Sequence, residues 1–355
     1  MVRAVRPFMD PAPMTDSLFI RRTLIVIGLV ALVFLLWLLR DVLLMVFGAV
    51  VIATLFQSLA RQFQRLHLPA GAALALSVLT VFAVVGVGGW LFGAQLVTQA
   101  EGLTQAVPKA WASLQQRMAG LGLSGVGKIN PSGLFGSLSS NLGTFVMSFG
   151  GGIADTLLIV VGGIFIAASP RFYGAGALKL VPSERRQLIG DAMNDSGRAL
   201  QLWLKAQLVA MLVIGVLTGL GLWLLGVPSA FALGLLAGLL EFVPFAGPIL
   251  AAIPAILIAL ALDPQLALWT MLLYVGIQHI EGYALQPIIQ SWAVEVPGAV
   301  LLFALLAFGA LFGPLGIIFA APLTVVVFVL IKRLYVREAL ETATPIPGED
   351  KPADA

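Results

Sequence analysis

From Thr23 to Leu39 the chain carries no charged side chain, and Arg22 and Arg40 close the run at either end. A helix of that length reaches the lower limit for crossing a hydrocarbon layer of about 30 Å. The pattern then repeats. Apolar runs cover about 42–60, 70–97, 145–168 and 207–226, and two longer blocks, 229–262 and 298–331, flank a shorter one at 265–284. Overall, 60% of the residues are hydrophobic and 10% are charged, against roughly 25% charged in a soluble domain. A soluble globule of this size cannot cover so much apolar surface. The chain therefore reads as an all-α polytopic membrane protein, which excludes soluble metabolic enzymes, disordered proteins and nucleic-acid-binding modules. The first run is too long for a cleaved signal peptide, and no small-x-small site follows it.

Lys and Arg counts orient the segments. With both termini cytoplasmic, sixteen of the twenty basic residues lie inside, and only Arg40, Lys109, Arg117 and Lys128 lie outside. The expected layout starts with a cytoplasmic N-terminus at 1–22, three transmembrane helices within 23–97, the first two joined by a tight turn at Arg40-Asp41, and an extracytoplasmic amphipathic segment at 98–144. A transmembrane helix at 145–168 and a cytoplasmic helical segment at 169–206 follow. A transport unit at 207–331 and a cytoplasmic tail at 332–355, disordered from 342, complete it. In 98–124, Leu103, Val107, Trp111, Leu114, Met118 and Leu121 form an apolar stripe, which packs on its own subunit or on a neighbour in a homo-oligomer. Pro182 and Ser183 start a second helix with Leu188, Ala192, Ala199 and Trp203 on its buried face, running on into the fifth span. The basic 169–206 segment marks the inside face or binds anionic membrane lipids.

The blocks 229–262 and 298–331 are too long for one crossing each. The first is interrupted by Glu241-Phe242-Val243-Pro244-Phe245-Ala246-Gly247-Pro248 and the second by Phe312-Gly313-Pro314-Leu315-Gly316. Two prolines and a glycine within five residues cannot sit in a regular helix. Each block thus reads as a re-entrant hairpin with an unwound tip, and Pro254 and Pro322 break the second arms. Val227-Pro228-Ser229-Ala230 opens the first block and Val296-Pro297-Gly298-Ala299 the second. An inverted repeat of interrupted helices points to a transport site near the membrane midplane. The fold expectation is about six spanning helices plus two re-entrant hairpins, or eight spans with the sixth and eighth kinked.

Three acidic residues, Asp155, Glu241 and Glu281, fall inside apolar segments that contain no Lys or Arg. A buried carboxylate must be protonated, hydrated or matched by a cation. Glu241 at the first tip and Glu281 near the segment between the hairpins are the candidate proton- or Na+-coupling groups; a backbone cap and a hydrogen-bonded strut are their structural alternatives. Asp155 reads as structural. Gln278, His279, Tyr283 and Gln286 would contact a small-molecule solute together with the unwound backbone at Pro244, Phe245, Gly247, Pro248, Gly313, Pro314 and Gly316. Pro287 would end that helix. His67 and His279, the only histidines, make no zinc site, and with no cysteine there is neither disulfide nor thiolate. No HExxH, GxxxxGK[ST] or GxSxG motif occurs, so neither enzyme nor cofactor is expected. The pairs Gly89/Gly93, Gly215/Gly219, Gly234/Gly238 and Gly309/Gly313 have helix-packing spacing.

The stretches LGVPSAFALGLLAGLLEFVPFAGPILAAIPAIL (225–257), QHIEGYALQPII (278–289) and LFGPLGIIFAAPL (311–323) resemble the autoinducer-2 exporter family of bacterial inner-membrane proteins. The resemblance covers about 20–335. It implies a homo-oligomer, a pentamer, with two helical hairpins that move elevator-fashion against a scaffold and export a small polar, autoinducer-2-like solute. Other members resemble monovalent cation (Na+ or Li+)/proton antiporters, which is the alternative activity; a membrane scaffold without turnover is the alternative of another class. Tyr283 and Gln290 stand where the family pattern usually has Asn and Gly.

Overall fold

The computed structural model describes residues 16–87, 89–90, 153–290, 294 and 296–346. The amphipathic stripe at 98–124 and the pair Gly89/Gly93 lie wholly or partly outside the described residues. The chain forms two compact units, the first ending at Leu44 and the second beginning at Met45.

The first unit contains α1 (Asp16–Leu38) and the start of α2 (Arg40–Gln64). Every described side chain from Phe19 to Leu39 is exposed, a surface that only a lipid or protein partner can cover. The tight turn expected at Arg40-Asp41 is absent. The Leu39 amide donates to the Leu35 carbonyl and the Leu43 amide to the Leu39 carbonyl, each at 2.9 Å. With neither Gly nor Pro at 38–41, nothing breaks the helical ladder. The Arg40 guanidinium lies 4.4 Å over the Trp37 ring, a placement that keeps a charge satisfied beside an apolar helix.

Within the second unit, α2 buries Ala49, Val51, Ala53, Phe56 and Ala60. Phe56 and Ala53 pack on Ala167 of α4 (Ile153–Ala168), with Leu74, Val78 and Val81 of α3 (Ala70–Val87) beside them. A bend of 94° at Ser169 separates α4 from α5 (Pro170–Lys179). A single 3₁₀ turn, Ser183–Arg185, then leads into α6 (Arg186–Leu224), 39 residues long. Ala192, Ala199 and Trp203 lie on its buried face and Leu188 is half-buried, as the periodicity expects.

The hairpin blocks follow. α7 (Ala230–Leu240) and α8 (Ala246–Leu262) are two short arms joined by residues 241–245. Their alanines interlock, with Ala230 and Ala237 of one and Ala251, Ala255 and Ala259 of the other all within 5% of full burial. α9 (Pro264–Ile280), a wide π-type turn over Glu281–Leu285, and α10 (Gln286–Gln290) come next. α11 (Gly298–Leu330) is two helical arms that meet at Gly313, where φ is 64° and ψ is −145°. A side chain cannot adopt that backbone without strain, so glycine is required there. The chain reverses at this point. A Cβ on Gly316 would collide with the Phe308 carbonyl, and one on Gly309 would lie 2.9 Å from Ile317, although residues eight apart in a straight helix are separated by about 12 Å. Gly247 uses the same device in the first block, set against the Leu240 carbonyl.

Three sequence expectations are corrected. Pro254 and Pro322 do not break their arms, which stay helical through both; one missing donor in an apolar, packed helix is tolerated. Pro287 does not end its helix. The wide turn over 281–285 relaxes the ladder where the proline has no N–H to give, and α10 continues. The segment from 342 is not free as far as Ile346, because Arg337 donates to the Thr344 carbonyl at 2.8 Å and Ile346 is 3% exposed.

Among the described residues, five helices are long and apolar enough to cross a membrane, or six if α4 and α5 form one bent span. The fold is all-helical over those residues.

Candidate functional site

The site is built where the first hairpin tip meets α6 and the widened end of α9. α7 stops at Glu241 because Pro244 and Pro248 cannot continue its ladder. The tip closes on itself through Val243 N–H to Leu240 O at 3.0 Å and Gly247 N–H to Val243 O at 2.9 Å. Phe245 carries the strain of the turn, at φ 64°. Gln207 of α6 anchors the tip by donating from Nε2 to the Glu241 carbonyl at 2.5 Å. One turn earlier, Trp203 meets Phe242 edge to face at 5.8 Å.

Glu241 is 2% exposed. Its carboxyl meets that of Glu281, forty residues away in sequence and carried by the wide turn. Oε2 of Glu241 has no hydrogen-bond partner among the described residues. Glu281 receives Gln278 Nε2 on Oε2 at 2.8 Å and Gln286 Nε2 on Oε1 at 3.3 Å. A hydrogen bond between two carboxyls needs a proton on one of them, and two bare carboxylates side by side in an apolar surrounding repel. Such a pair can accept a proton or a cation.

In front of Glu281 opens a cavity of about 410 Å3. Its walls come from Trp203 and Gln207 of α6, Pro244, Phe245 and Pro248 of the tip, Gln278, Gln286 and Pro287 around the wide turn, and Val294, Val296, Gly298 and Leu301 leading into α11. Among the described residues, no Lys or Arg lines it.

The structure thus gathers Pro244, Phe245, Pro248, Gln278, Glu281 and Gln286 around one space, with Glu241 behind Glu281 and Gly247 supporting the tip. The other expected residues lie elsewhere. His279 is exposed and its Nδ1 contacts the Val275 carbonyl of its own helix at 2.8 Å; Tyr283 is 82% exposed beside it. Gly313, Pro314 and Gly316 do not line the cavity. The second block contributes its beginning instead of its tip, since Gly298 and Gly313 are separated by an arm of about 22 Å. Gln207 escaped the sequence reading, and Trp203 was expected on the buried face of its helix but not at the site. The available signal was a lone amide at the very start of an apolar span, four residues from a tryptophan on the buried face.

The glycine pairs of α6 and α7 cross directly. A Cβ on Gly234 would lie 2.5 Å from the Gly219 Cα, and one on Gly238 would lie 2.6 Å from the Met211 carbonyl. This contact brings the two backbones together and fixes the height of the tip on α6.

A sequence model of the AI-2E family transporters matches residues 25–335. Among curated proteins, the chain is 32% identical to YrrI of Bacillus subtilis strain 168 over 42% of its own length and 43% of that protein. It is 28% identical to a Thermotoga maritima protein over 52% and 56% of the two chains. The names of both assign them to transport only provisionally. Identity to the AI-2 transport protein TqsA of Escherichia coli K12 is 34%, over 36% of this chain and 38% of TqsA. The matches span about half or less of these relatives. The family is one of transport proteins rather than enzymes, and its model covers most of the sequence: the chain belongs to the AI-2E transporter family.

Proposed function

We propose that the protein is a secondary transporter that carries a small polar solute, autoinducer-2-like in size, out across the bacterial inner membrane. The observation that carries the reading is the Glu241–Glu281 carboxyl pair at the back of a cavity of about 410 Å3 that is lined by amides and aromatic rings and, among the described residues, by no basic side chain. A cavity of this size suits a small ligand, and its convergent polar groups suit orientation of one. Transport itself follows from the family; the name of TqsA supports the class of solute. Both hairpins are read as re-entrant, with tips inside the membrane. Their short apolar arms support this, since α7 has 11 residues and spans only about 17 Å. The hairpin unit is read as moving elevator-fashion within a homo-oligomer, a pentamer, with both termini cytoplasmic.

A second reading, monovalent cation/proton antiport, is favoured by the same carboxyl pair having no basic partner among the described residues. One experiment separates them: solute and Na+ fluxes in inverted membrane vesicles, with and without an imposed pH gradient. Solute accumulation driven by the gradient supports the first reading. Sodium flux alone, with no solute moved, supports the second. No flux of either kind contradicts both and leaves a membrane scaffold.

A further inference from the structure

We infer that the cavity takes a small organic cation, an alkylammonium or protonated amine, in exchange for the proton held between Glu241 and Glu281. The inference rests on the cavity being the transport site and narrows the solute from polar to cationic.

Three independent features converge on this charge. Glu281 lines the cavity while Glu241, 98% buried with Oε2 unpartnered, stands directly behind it, so the wall is acidic and its acidity is not neutralised from within. Gln278 and Gln286 each turn one amide N–H onto Glu281. Those donors face a carboxylate, and among the described residues no Lys or Arg lines the space to attract an anionic solute. Lastly, Trp203 and Phe245 are aromatic walls and Pro244, Pro248 and Pro287 are apolar ones. Aromatic surface attracts a cation that water solvates poorly, and apolar walls suit its alkyl groups. A bare metal ion would need several oxygen ligands at close range, and no group of three or more acidic or histidine side chains occurs among the described residues.

The exchange balances without covalent change. With one proton on the pair, the two carboxyls carry a single negative charge. An entering monovalent cation takes the place of the proton, which leaves to water, and the two bare carboxylates with the cation again carry a single net negative charge. One cation moves for each proton at constant site charge.

The test is calorimetric titration of the full chain in lipid nanodiscs with tetramethylammonium chloride, in two buffers of different ionisation heat. Saturable binding that releases a proton is expected. Glu281→Gln should weaken binding about thirty-fold or more, the cost of removing one member of a desolvated charge pair, and abolish proton release. Trp203→Leu should weaken binding about five-fold and leave proton release in place. If Glu281→Gln does not fold, Gln286→Lys serves, because a resident ammonium should displace the probe. Absence of saturable binding to the wild type, or binding unchanged in these variants, overturns the inference. Erythritol, a neutral polyol, separates the two levels. Glu281-dependent erythritol binding without tetramethylammonium binding refutes the cation and keeps the transport site. If solute flux persists when Gln286→Lys blocks the cavity, the transport-site assignment fails as well.

Discussion

Gln207, on the long helix α6, holds the main-chain carbonyl of Glu241 at 2.5 Å, so the tip of the first hairpin hangs from a helix 34 residues upstream. The carbonyl belongs to the residue that ends α7, where helical donors run out. Fixing it there also fixes where the Glu241 side chain can reach.

Gln207→Leu removes the donor and leaves that carbonyl without it in a half-buried setting. A loss of about 1–3 kcal/mol in stability is expected, with solute flux reduced more than stability alone accounts for. Thermal unfolding in detergent and flux in proteoliposomes check the two parts; an unchanged melting point and unchanged flux would dismiss the anchor.

Gly234→Ala forces a methyl group into the Gly219 backbone. Overpacking of this kind costs about 1–3 kcal/mol. Gly197→Ala, in the same long helix with nothing within 4 Å of the added carbon, should instead be neutral or stabilising by about 0.5–1 kcal/mol. Melting curves that place both variants on the same side of wild type contradict the crossing.

At the far end of α6, Asp195 receives Arg198 at 2.7 Å and faces Arg333 at 3.7 Å, while Asp191 meets Arg333 at 3.4 Å. These pairs tie α6 to the π-helical stretch Ile331–Arg337 that continues α11. The Asp195 side chain is 6% exposed, so Asp195→Ala should destabilise by about 3–5 kcal/mol. Adding Arg333→Met should recover part of the loss, because no buried charge is then left over. A double variant no better than the single one in chemical or thermal unfolding argues against the pairing.

Membrane depth of the tips is open to chemistry, because the chain has no cysteine of its own. Ala246→Cys and Leu315→Cys should react slowly with a membrane-impermeant thiol reagent applied from either side. Fast, complete labelling in detergent-free membranes would place the tips in water.

Much of this fold was legible in the sequence because its signals are local. Arg22 and Arg40 bound an uncharged run, the prolines around Glu241 and Gly313 stop a helix, and the alternation of Ala192, Ala199 and Trp203 marks a face. Carboxylates without basic neighbours were equally visible, and Glu241 and Glu281 do meet. The partners of those groups were not visible, since Gln207 to Glu241 and Asp195 to Arg333 are tertiary contacts with no periodic trace. Symmetry of the two blocks was misleading in one respect. It suggested that both tips line one site, but the cavity uses the first tip and the root of the second block, and an arm's length separates the alternatives. Proline was read too strongly as well. Pro254 and Pro322 sit within arms whose packing outweighs one lost hydrogen bond, and Pro287 is absorbed by a widened turn.

The account stands most directly on the Glu241–Glu281 pair as the ionisable part of the transport site. The decisive measurement is flux in proteoliposomes at two pH values for wild type, Glu241→Gln and Glu281→Gln, with the amount of folded protein measured for each. Glutamine keeps the volume and a hydrogen-bonding head but cannot take up or release the proton. Folded variants whose flux is reduced and no longer responds to pH are the predicted result. Normal flux with an unchanged pH response in both variants, at normal protein levels, would contradict it.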